Sequence, residues 1–495
     1  MSNTVDLPHD EAAPGIERSS VEPVNDREMR SLYQKRVKIH PKRARGTFRT
    51  AKWIFMAVSL GIYYVLPWLR WDRGPNLPDQ AVLIDFPGRR FYFFFFDILP
   101  RELYYVTGLL VVSALALFLV TALFGRVWCG YACPQTVWTD MMIAVERFFQ
   151  GDRNERLRLD KQPWTAAKIA KVGATHATWL LIALATGGTL VFYFADAPTL
   201  LRAFATGTAP VIAWLFVAIF TGTTYVLGGL AREQVCTYMC PWPRIQGAMF
   251  DRDSLTVNYR QWRGEPRGPK HKAQSWDGRG DCIDCKACVV VCPTGIDIRN
   301  GQQLECIQCA LCIDACNGIM EKVGRPRGLI SYDTFVNLDA AAHGTRAPLR
   351  LVRPRTIFYA GLLAFVLALM AGGWLLRTEM DVGVVRDANP DYVRLSDGRI
   401  RNGYTLKLLN KLHDERRVRI ALEGVPGGQA VVVGSPDATV VIAPNETEAP
   451  HVFVTAPPDA LPAEGGDIPI AFVVTDLENN HAGRHRSVFR FPKRR

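Results

Sequence analysis

Hydrophobic residues run continuously over five stretches long enough to cross a bilayer, at about 53–69, 103–124, 174–195, 209–230 and 356–376. The second reads LYYVTGLLVVSALALFLVTALF and holds no charged residue. The first is short and ends in Pro67, Trp68 and Leu69. Residues 1–29 are polar and partly acidic, without the apolar centre of an export signal, so the first span is expected to serve as signal and anchor together. Beyond 376 the pattern changes to short alternating or β-branched runs, at 403–409, 418–422, 430–433, 439–442, 451–455, 468–474 and 487–491. Gly, Pro, Asn and Asp separate them at intervals of about ten residues, which predicts one β-sandwich of about seven strands. Its His451, His481 and His485 read as ordinary loop and strand residues rather than a metal site.

Charge then orients the spans. Residues 30–52 hold nine Lys or Arg and no acid, whereas 70–102 balances five basic against five acidic residues, and 196–208 has Arg202 as its one basic residue. The segments 125–172 and 231–355 carry eight and eighteen basic residues. By the positive-inside rule the N-terminus and both of these segments face the cytoplasm, and the C-terminal sandwich lies outside. The net charge of +12 is this topology signal, and no nucleic-acid-binding module accompanies it. A mean hydropathy of +0.03 in a chain with 59 basic and 47 acidic residues excludes both a single soluble globule and a disordered chain.

All 12 cysteines lie between Cys129 and Cys316, so a disulfide framework spread through the fold is excluded. The sequence Cys282-x2-Cys285-x2-Cys288-x3-Cys292-Pro293 is followed by Cys306-x2-Cys309-x2-Cys312-x3-Cys316. This is the bacterial ferredoxin run written twice, in which the fourth ligand of each cluster comes from the other run. Cys282, Cys285, Cys288 and Cys316 are the expected ligands of one [4Fe–4S] cluster, and Cys306, Cys309, Cys312 and Cys292 those of the second. Paired Cys-x2-Cys zinc sites explain four ligands each but not a second x2 spacing followed by x3 in both runs. One departure is Asn317, which stands where the first run has Pro293. Residues 251–281, rich in Gly and Pro, read as a flexible lead-in.

The other four cysteines repeat a subtler pattern. Cys129-Gly-Tyr-Ala-Cys133-Pro134 follows the second span, and Cys236-Thr-Tyr-Met-Cys240-Pro241 follows the fourth, each cysteine offset by 107 residues. Spans one–two and three–four thus read as two parallel copies of one hairpin, which brings both turns together at the cytoplasmic boundary. If helical, cysteines at i and i+4 share a face, and Pro134 and Pro241 start the next helices. Soft sulfur ligands suit Cu(I), zinc or an iron–sulfur cluster, and Met239, Met141 and Met142 stand nearby. His176, at a similar depth in the third span, reads as a hydrogen-bonded structural residue.

The run VLIDFPGRRFYFF at 82–94, the two Cys-x3-Cys-Pro turns, the double ferredoxin run and GRPRGLISYDT at 324–334 together resemble the CcoG/FixG/RdxA proteins. These are polytopic inner-membrane iron–sulfur proteins of bacteria that make cbb3-type cytochrome oxidase. The resemblance covers nearly the whole chain and includes the family's immunoglobulin-like outer domain. It implies a cupric reductase that supplies Cu(I) during oxidase assembly, with oxidase assembly factors or copper chaperones as partners. It also implies eight cluster-ligating cysteines and a copper-handling site at Cys129, Cys133, Cys236 and Cys240. The predicted order is a basic tail (1–52), four spans with the two turns (53–250), a ferredoxin domain of α+β type (251–355), a fifth span (356–376) and the sandwich (377–495).

Three other readings of the residues stay open. The chain could be a quinol-oxidising electron-transfer subunit whose twin hairpins cradle a quinone. It could be a non-enzymatic copper-binding scaffold, or its four turn cysteines could hold a third cluster or cycle as disulfides. The sequence names no electron donor.

Overall fold

A computed structural model describes residues 16, 19, 21–25, 37–74, 77–99, 102–270, 275–377, 380–412, 414–444 and 446–493. It forms two compact units, Met1–Trp71 with Gln80–Met370, and Asp72–Asp79 with Ala371–Arg495. Helices of the first unit begin with α1 (Thr47–Val65), α2 (Tyr104–Phe124), α3 (Val127–Tyr131), α4 (Pro134–Gln150), α5 (Arg153–Lys161), α6 (Ala166–Phe192) and α7 (Ala197–Thr206). They continue with α8 (Val211–Thr224), α9 (Trp242–Met249), α10 (Gln261–Gly264), α11 (Ala287–Val290), α12 (Leu311–Lys322) and α13 (Phe335–Ala342). The last helix, α14 (Pro354–Leu375), runs into the second unit. Tyr225–Ala231 and Val235–Met239 are π-helical.

Among the described residues five helices are long and apolar enough to cross a membrane, Thr47–Trp68, Tyr104–Phe124, Ala166–Phe192, Val211–Ala231 and Pro354–Leu375. They contain the cores of the five apolar stretches, but the first and third begin earlier than hydropathy places them. Helix α1 starts at Thr47 because its polar first turn has partners. Gly46 offers no side-chain cap, and the amides of Phe48 and Arg49 donate instead to the Asp314 carboxylate of α12, at 3.3 and 2.7 Å. A capping carboxylate of this kind is worth about 0.5–2 kcal/mol. Arg49 donates to Asp140 of α4 at 2.8 Å, and Lys52 lies 3.6 Å from the same carboxylate. Helix α6 starts at Ala166 because the Thr165 hydroxyl caps the Lys168 amide, and the Lys168 ammonium donates to the Asp160 and Gln162 carbonyls. Deeper in the bundle α6 and α8 approach closely at Gly187, where a Cβ would lie 2.7 Å from the Thr221 amide nitrogen.

A buried charge cluster holds the loops between the spans. Glu146 of α4 accepts from Arg156 of α5 at 2.9 Å and from Arg232 at 2.5 and 3.1 Å, and all three side chains are almost fully enclosed. Burial pulls the Glu146 carboxyl up, but Arg232 and then Arg156 outweigh it and hold its pKa below the usual value. Asp140 is likewise pulled up by burial and held low overall by Lys52 and Arg49.

Two further features differ from the sequence reading. The expected flexible lead-in includes a buried strand, β4 (Thr256–Tyr259), which pairs antiparallel with β5 (Ile330–Asp333). Four residues of TVNY are too few to show a period, and their partner lies some seventy residues away. The described part of the basic tail, read from sequence for its charge alone, is partly buried against the ferredoxin runs. Val24 donates its amide to the Gly295 carbonyl, and the Lys42 amide reaches Val290, so the tail lines the ferredoxin runs. The 82–94 region forms a three-stranded meander, β1 (Val82–Asp85), β2 (Arg90–Phe93) and β3 (Phe96–Ile98), with Tyr92 buried and Phe86 and Phe95 exposed.

In the second unit the sandwich has ten strands among the described residues. They are β6 (Met380–Arg386), β7 (Val393–Arg394), β8 (Ile400–Asn410), β9 (Arg416–Glu423), β10 (Gln429–Val432), β11 (Thr439–Ile442), β12 (Thr447–Glu448), β13 (His451–Ala456), β14 (Gly466–Asp476) and β15 (Ala482–Phe491). One sheet runs β10-β13-β8-β12, with β6 and β7 also on β8, and the other runs β11-β9-β14-β15. The seven expected strands are all present; β6, β7 and β12 are additional. Alternation places Tyr404, Leu406, Leu408, Phe472, Val474 and Phe489 in one core. The Tyr404 hydroxyl donates to the Val488 carbonyl at 2.8 Å and ties the sheets together. His451 pairs with Asp387 at 3.1 Å.

Replacing Glu146 by Gln leaves two arginines buried against a neutral amide. The expected loss is about 3–5 kcal/mol, read as a lower thermal midpoint in detergent. Because the folded pKa values of Asp140 and Glu146 are depressed, their stabilisation is complete above about pH 4 and lost as pH falls through the folded values. The midpoint should therefore hold steady from pH 7 to about 5 and fall below about 4. Glu146→Gln should make that acid fall shallower.

Candidate metal centre

Each ferredoxin run is wound by the same local device. Asp284 and Lys286 in the first run, and Gln308 and Ala310 in the second, adopt left-handed backbone with φ of 51, 55, 54 and 60°. These are the residues just before and just after the middle cysteine of each trio. Two such residues in three reverse the chain tightly and turn thiols and amides towards one centre. The Ala287 amide donates to the Cys285 sulfur, Gln308 to Cys306, Leu311 to Cys309 and Ile330 to Cys316. Helices α11 and α12 then carry the remaining cysteines back across the domain.

Two cavities result. One is lined by Cys282, Cys285, Cys288 and Cys316, and the other by Cys292, Cys306, Cys309 and Cys312, with Cys288 on a shared wall. Burial first, and neighbouring sulfurs second, push Cys316 and Cys306 up to about 12. Crowded, desolvated thiols stay protonated unless a cation supplies the missing charge. The donor set therefore fits a [4Fe–4S] core in each cavity, whose iron is that cation. Arg299, which sequence reasoning passed over, has its guanidinium 4.0 Å from the Cys282 sulfur. Asp297 and Asp284 each hold it at 2.6 Å. No motif marks Arg299; only the folded chain brings it to the first cavity. Asn317, in place of a second proline, accepts from the Gly328 amide at 2.8 Å and ties α12 to the return strand.

The four turn cysteines also come together, though not on shared helical faces as expected. Cys129 lies in the single turn α3, but Cys133 is extended, with φ −60° and ψ 126°, as Pro134 begins α4. Cys236 lies in the second π-helical segment and Cys240 is again extended, with φ −79° and ψ 122°. The proline that follows each second cysteine excludes α geometry there. Pro241 sits one residue ahead of α9 rather than within it. Cys129 feels the charges of Cys133 and Cys240, and Cys236 those of all three others, so the two turns form one group. Burial, ahead of these neighbours, pushes Cys129 and Cys236 up to about 12. Among the described residues no three His, Cys, Asp or Glu side chains converge as a closed site for a single ion. The Cys129 thiol donates to the Gln246 side-chain oxygen at 3.1 Å, and Gln246 in turn donates to Thr121. Met239 is exposed, whereas Met142 is fully buried in the bundle. His176 Nδ1 lies 2.8 Å from the Tyr225 hydroxyl.

The first turn is pressed against the second ferredoxin run. A Cβ on Gly130 would lie 2.8 Å from the Ile307 carbonyl oxygen and 3.1 Å from the Cys309 amide, so glycine alone permits this approach. Arg126 donates to the carbonyls of Leu304, Cys306 and Pro243, and its amide donates to the Gln308 side chain at 2.8 Å. It thereby links the second run to both Cys-x3-Cys-Pro turns. Sequence reading counted Arg126 only as one basic residue of a loop.

Comparison with known proteins places these features. Family models match a 4Fe-4S dicluster domain over 231–335, a 4Fe-4S binding domain over 106–151, and the IG-like fold at the C-terminal of FixG over 370–492. The two iron–sulfur matches include both Cys-x3-Cys-Pro turns. The chain is 50% identical over 476 residues to the nitrogen fixation protein FixG of Rhizobium meliloti, covering 89% of this chain and 91% of that one. It is 52% identical over 437 residues to protein RdxA of Cereibacter sphaeroides, covering 88% and 92%. Protein RdxB of the same organism is 49% identical over 469 residues, covering 94% and 98%.

A core in each cavity would make Cys316 a ligand of the centre otherwise built by Cys282, Cys285 and Cys288. Cys316→Ser is expected to lower iron from about eight to about four per chain, or to shift one set of EPR signals and spare the other. Loss of both sets in a chain of unchanged helix content would refute the crosswise arrangement.

Proposed function

The chain belongs to the FixG/RdxA family, and on that premise we propose that this membrane-spanning iron–sulfur oxidoreductase reduces Cu(II) to Cu(I) for assembly of a cbb3-type cytochrome oxidase. Cys282, Cys285, Cys288 and Cys316 hold one cluster, and Cys306, Cys309, Cys312 and Cys292 the other. Copper is the substrate, taken up near Cys129, Cys133, Cys236 and Cys240. The distribution of basic residues supports a cytoplasmic N-terminus and ferredoxin domain, with the sandwich in the periplasm.

The seating of Gly130 on Ile307 and Cys309 carries this reading. It leaves only packed backbone between the loop that builds the second cavity and the turn that bears Cys129 and Cys133. Clusters of this type supply electrons one at a time, which matches the single electron that separates Cu(II) from Cu(I). The protein's own residues do the rest. Four soft sulfurs favour the monovalent product over the divalent substrate. Arg126 holds the first turn in register with the second run, and Gln246 of α9 holds the Cys129 thiol.

Anaerobic addition of Cu(II) to the dithionite-reduced protein, with Cu(I) trapped by a chelator, should reoxidise the clusters with one Cu(I) formed per electron lost. Changing Cys129, Cys133, Cys236 and Cys240 together to Ser should abolish this reaction while cluster EPR persists. Undiminished Cu(I) formation in that variant would sink the proposal.

A further inference from the structure

A separate cavity of about 430 Å³ opens where α4, α6 and the π-helical end of the fourth span meet. Pockets that take small organic ligands are commonly of this size. Trp164, Val172, Trp179 and Leu230 give it apolar walls. The charges on its rim are already answered within the protein. Arg232 is held by both oxygens of Glu146, Lys168 by two backbone carbonyls, and Lys38 lies 3.8 Å from Asp160. An anionic headgroup would find no cation waiting for it.

His176 is placed differently. Its Nδ1 is 2.8 Å from the Tyr225 hydroxyl, and its ring stands edge-on to Trp179 at 5.0 Å. Among the described residues nothing hydrogen-bonds its Nε2. An oriented imidazole with one ring nitrogen to spare therefore lines an aromatic cavity on a membrane-spanning helix. The wall opposite is irregular. The span leaves α geometry at Tyr225, and Arg232 ends it in left-handed backbone, φ 49°. Such π segments recur at functional sites.

Position supplies the remaining argument. Arg232 also lines a neighbouring pocket whose wall includes Cys236, Thr294 and Ile307. Thr294 and Ile307 in turn line the cavity of Cys292, Cys306, Cys309 and Cys312. Three successive cavities thus share walls, from the membrane-facing helix to the second cysteine set. A ligand that is amphipathic, aromatic, lipid-soluble and placed to exchange electrons has the chemistry of a quinone.

We propose that this cavity binds a quinol and is where electrons enter the protein. The inference rests on the iron–sulfur electron-transfer reading and is independent of copper as the acceptor. One quinol gives up two electrons and two protons and leaves as quinone. One electron passes to each cluster, His176 Nε2 accepts the first hydroxyl proton, and the second passes to water.

The test uses the full chain in detergent, anaerobic and with its clusters oxidised, and menadiol and menadione as probes. Menadione should quench tryptophan fluorescence saturably, and menadiol should bleach the clusters. His176→Phe should weaken menadione binding and slow menadiol-driven bleaching, each by about 10-fold or more, with dithionite reduction and iron content unchanged. His176→Gln, which keeps a polar group for Tyr225 and ligand, should recover part of both. No saturable menadione binding, or wild-type behaviour in His176→Phe, would overturn the proposal. So would a phospholipid retained at one per chain that menadione fails to displace, which assigns the cavity to a headgroup. Failure of dithionite-reduced clusters to reduce Cu(II) would remove the copper reading and leave this one standing.

Discussion

The contact between the first Cys-x3-Cys-Pro turn and the second ferredoxin run is the constraint on which the rest of the first unit turns. Gly130 allows backbone to meet backbone at Ile307 and Cys309, and Arg126 fastens the seam by donating to the Cys306 carbonyl of the run and to the Pro243 carbonyl just past the second turn. A side chain at 130 would open a gap between the turn and the loop of the second cavity. The close packing that makes this seam rigid also makes it a short path for an electron. Structure and proposed function therefore depend on the same few ångströms.

Carboxylates buried at the boundary between spans and ferredoxin fold hold the two in register. Asp314 sits between two cluster-run cysteines yet caps the first span, so the helix that carries Cys312 and Cys316 also sets where the membrane helix begins. Asp140 and Glu146 each answer two cations. Such groups would be costly alone in a low-dielectric setting, and they persist because each is satisfied from more than one side. The arrangement gives α4 a central place, since it begins at the proline after Cys133, supplies both carboxylates and walls the proposed quinol cavity.

The membrane unit thus gathers three kinds of site, namely the cavity walled by α4 and α6, a neighbouring pocket that reaches Cys236 of the turn thiols, and the two cavities of the ferredoxin runs. The family assignment makes the last of these an iron–sulfur electron-transfer unit. The sandwich belongs to the other unit. Its core is closed by Tyr404, Phe472 and Phe489, and it forms a compact unit of its own.

What could be read from the chain alone was whatever depends on local pattern. The spans, the seven longer strands and the eight-cysteine spacing all follow from periodicity or from ligand geometry confined to a few neighbouring residues. The two Cys-x3-Cys-Pro turns were legible as a pair because their 107-residue offset repeats. Lone residues whose role is set by a distant partner were not legible. Arg126, Arg299 and Asp314 look like ordinary surface charges until folding brings Gln308, Cys282 and the start of α1 against them. The strand Thr256–Tyr259 was missed for the same reason, since its partner is remote and its length too short to show a period. Nor could spacing reveal that proline holds Cys133 and Cys240 extended beside a one-turn helix and a π-helix. The sequence by itself determined which chemistry the protein carries, because cysteine spacing is a local quantity. Only the tertiary structure decided which sites touch, because contact across a hundred residues is settled by packing and by buried charges finding their partners.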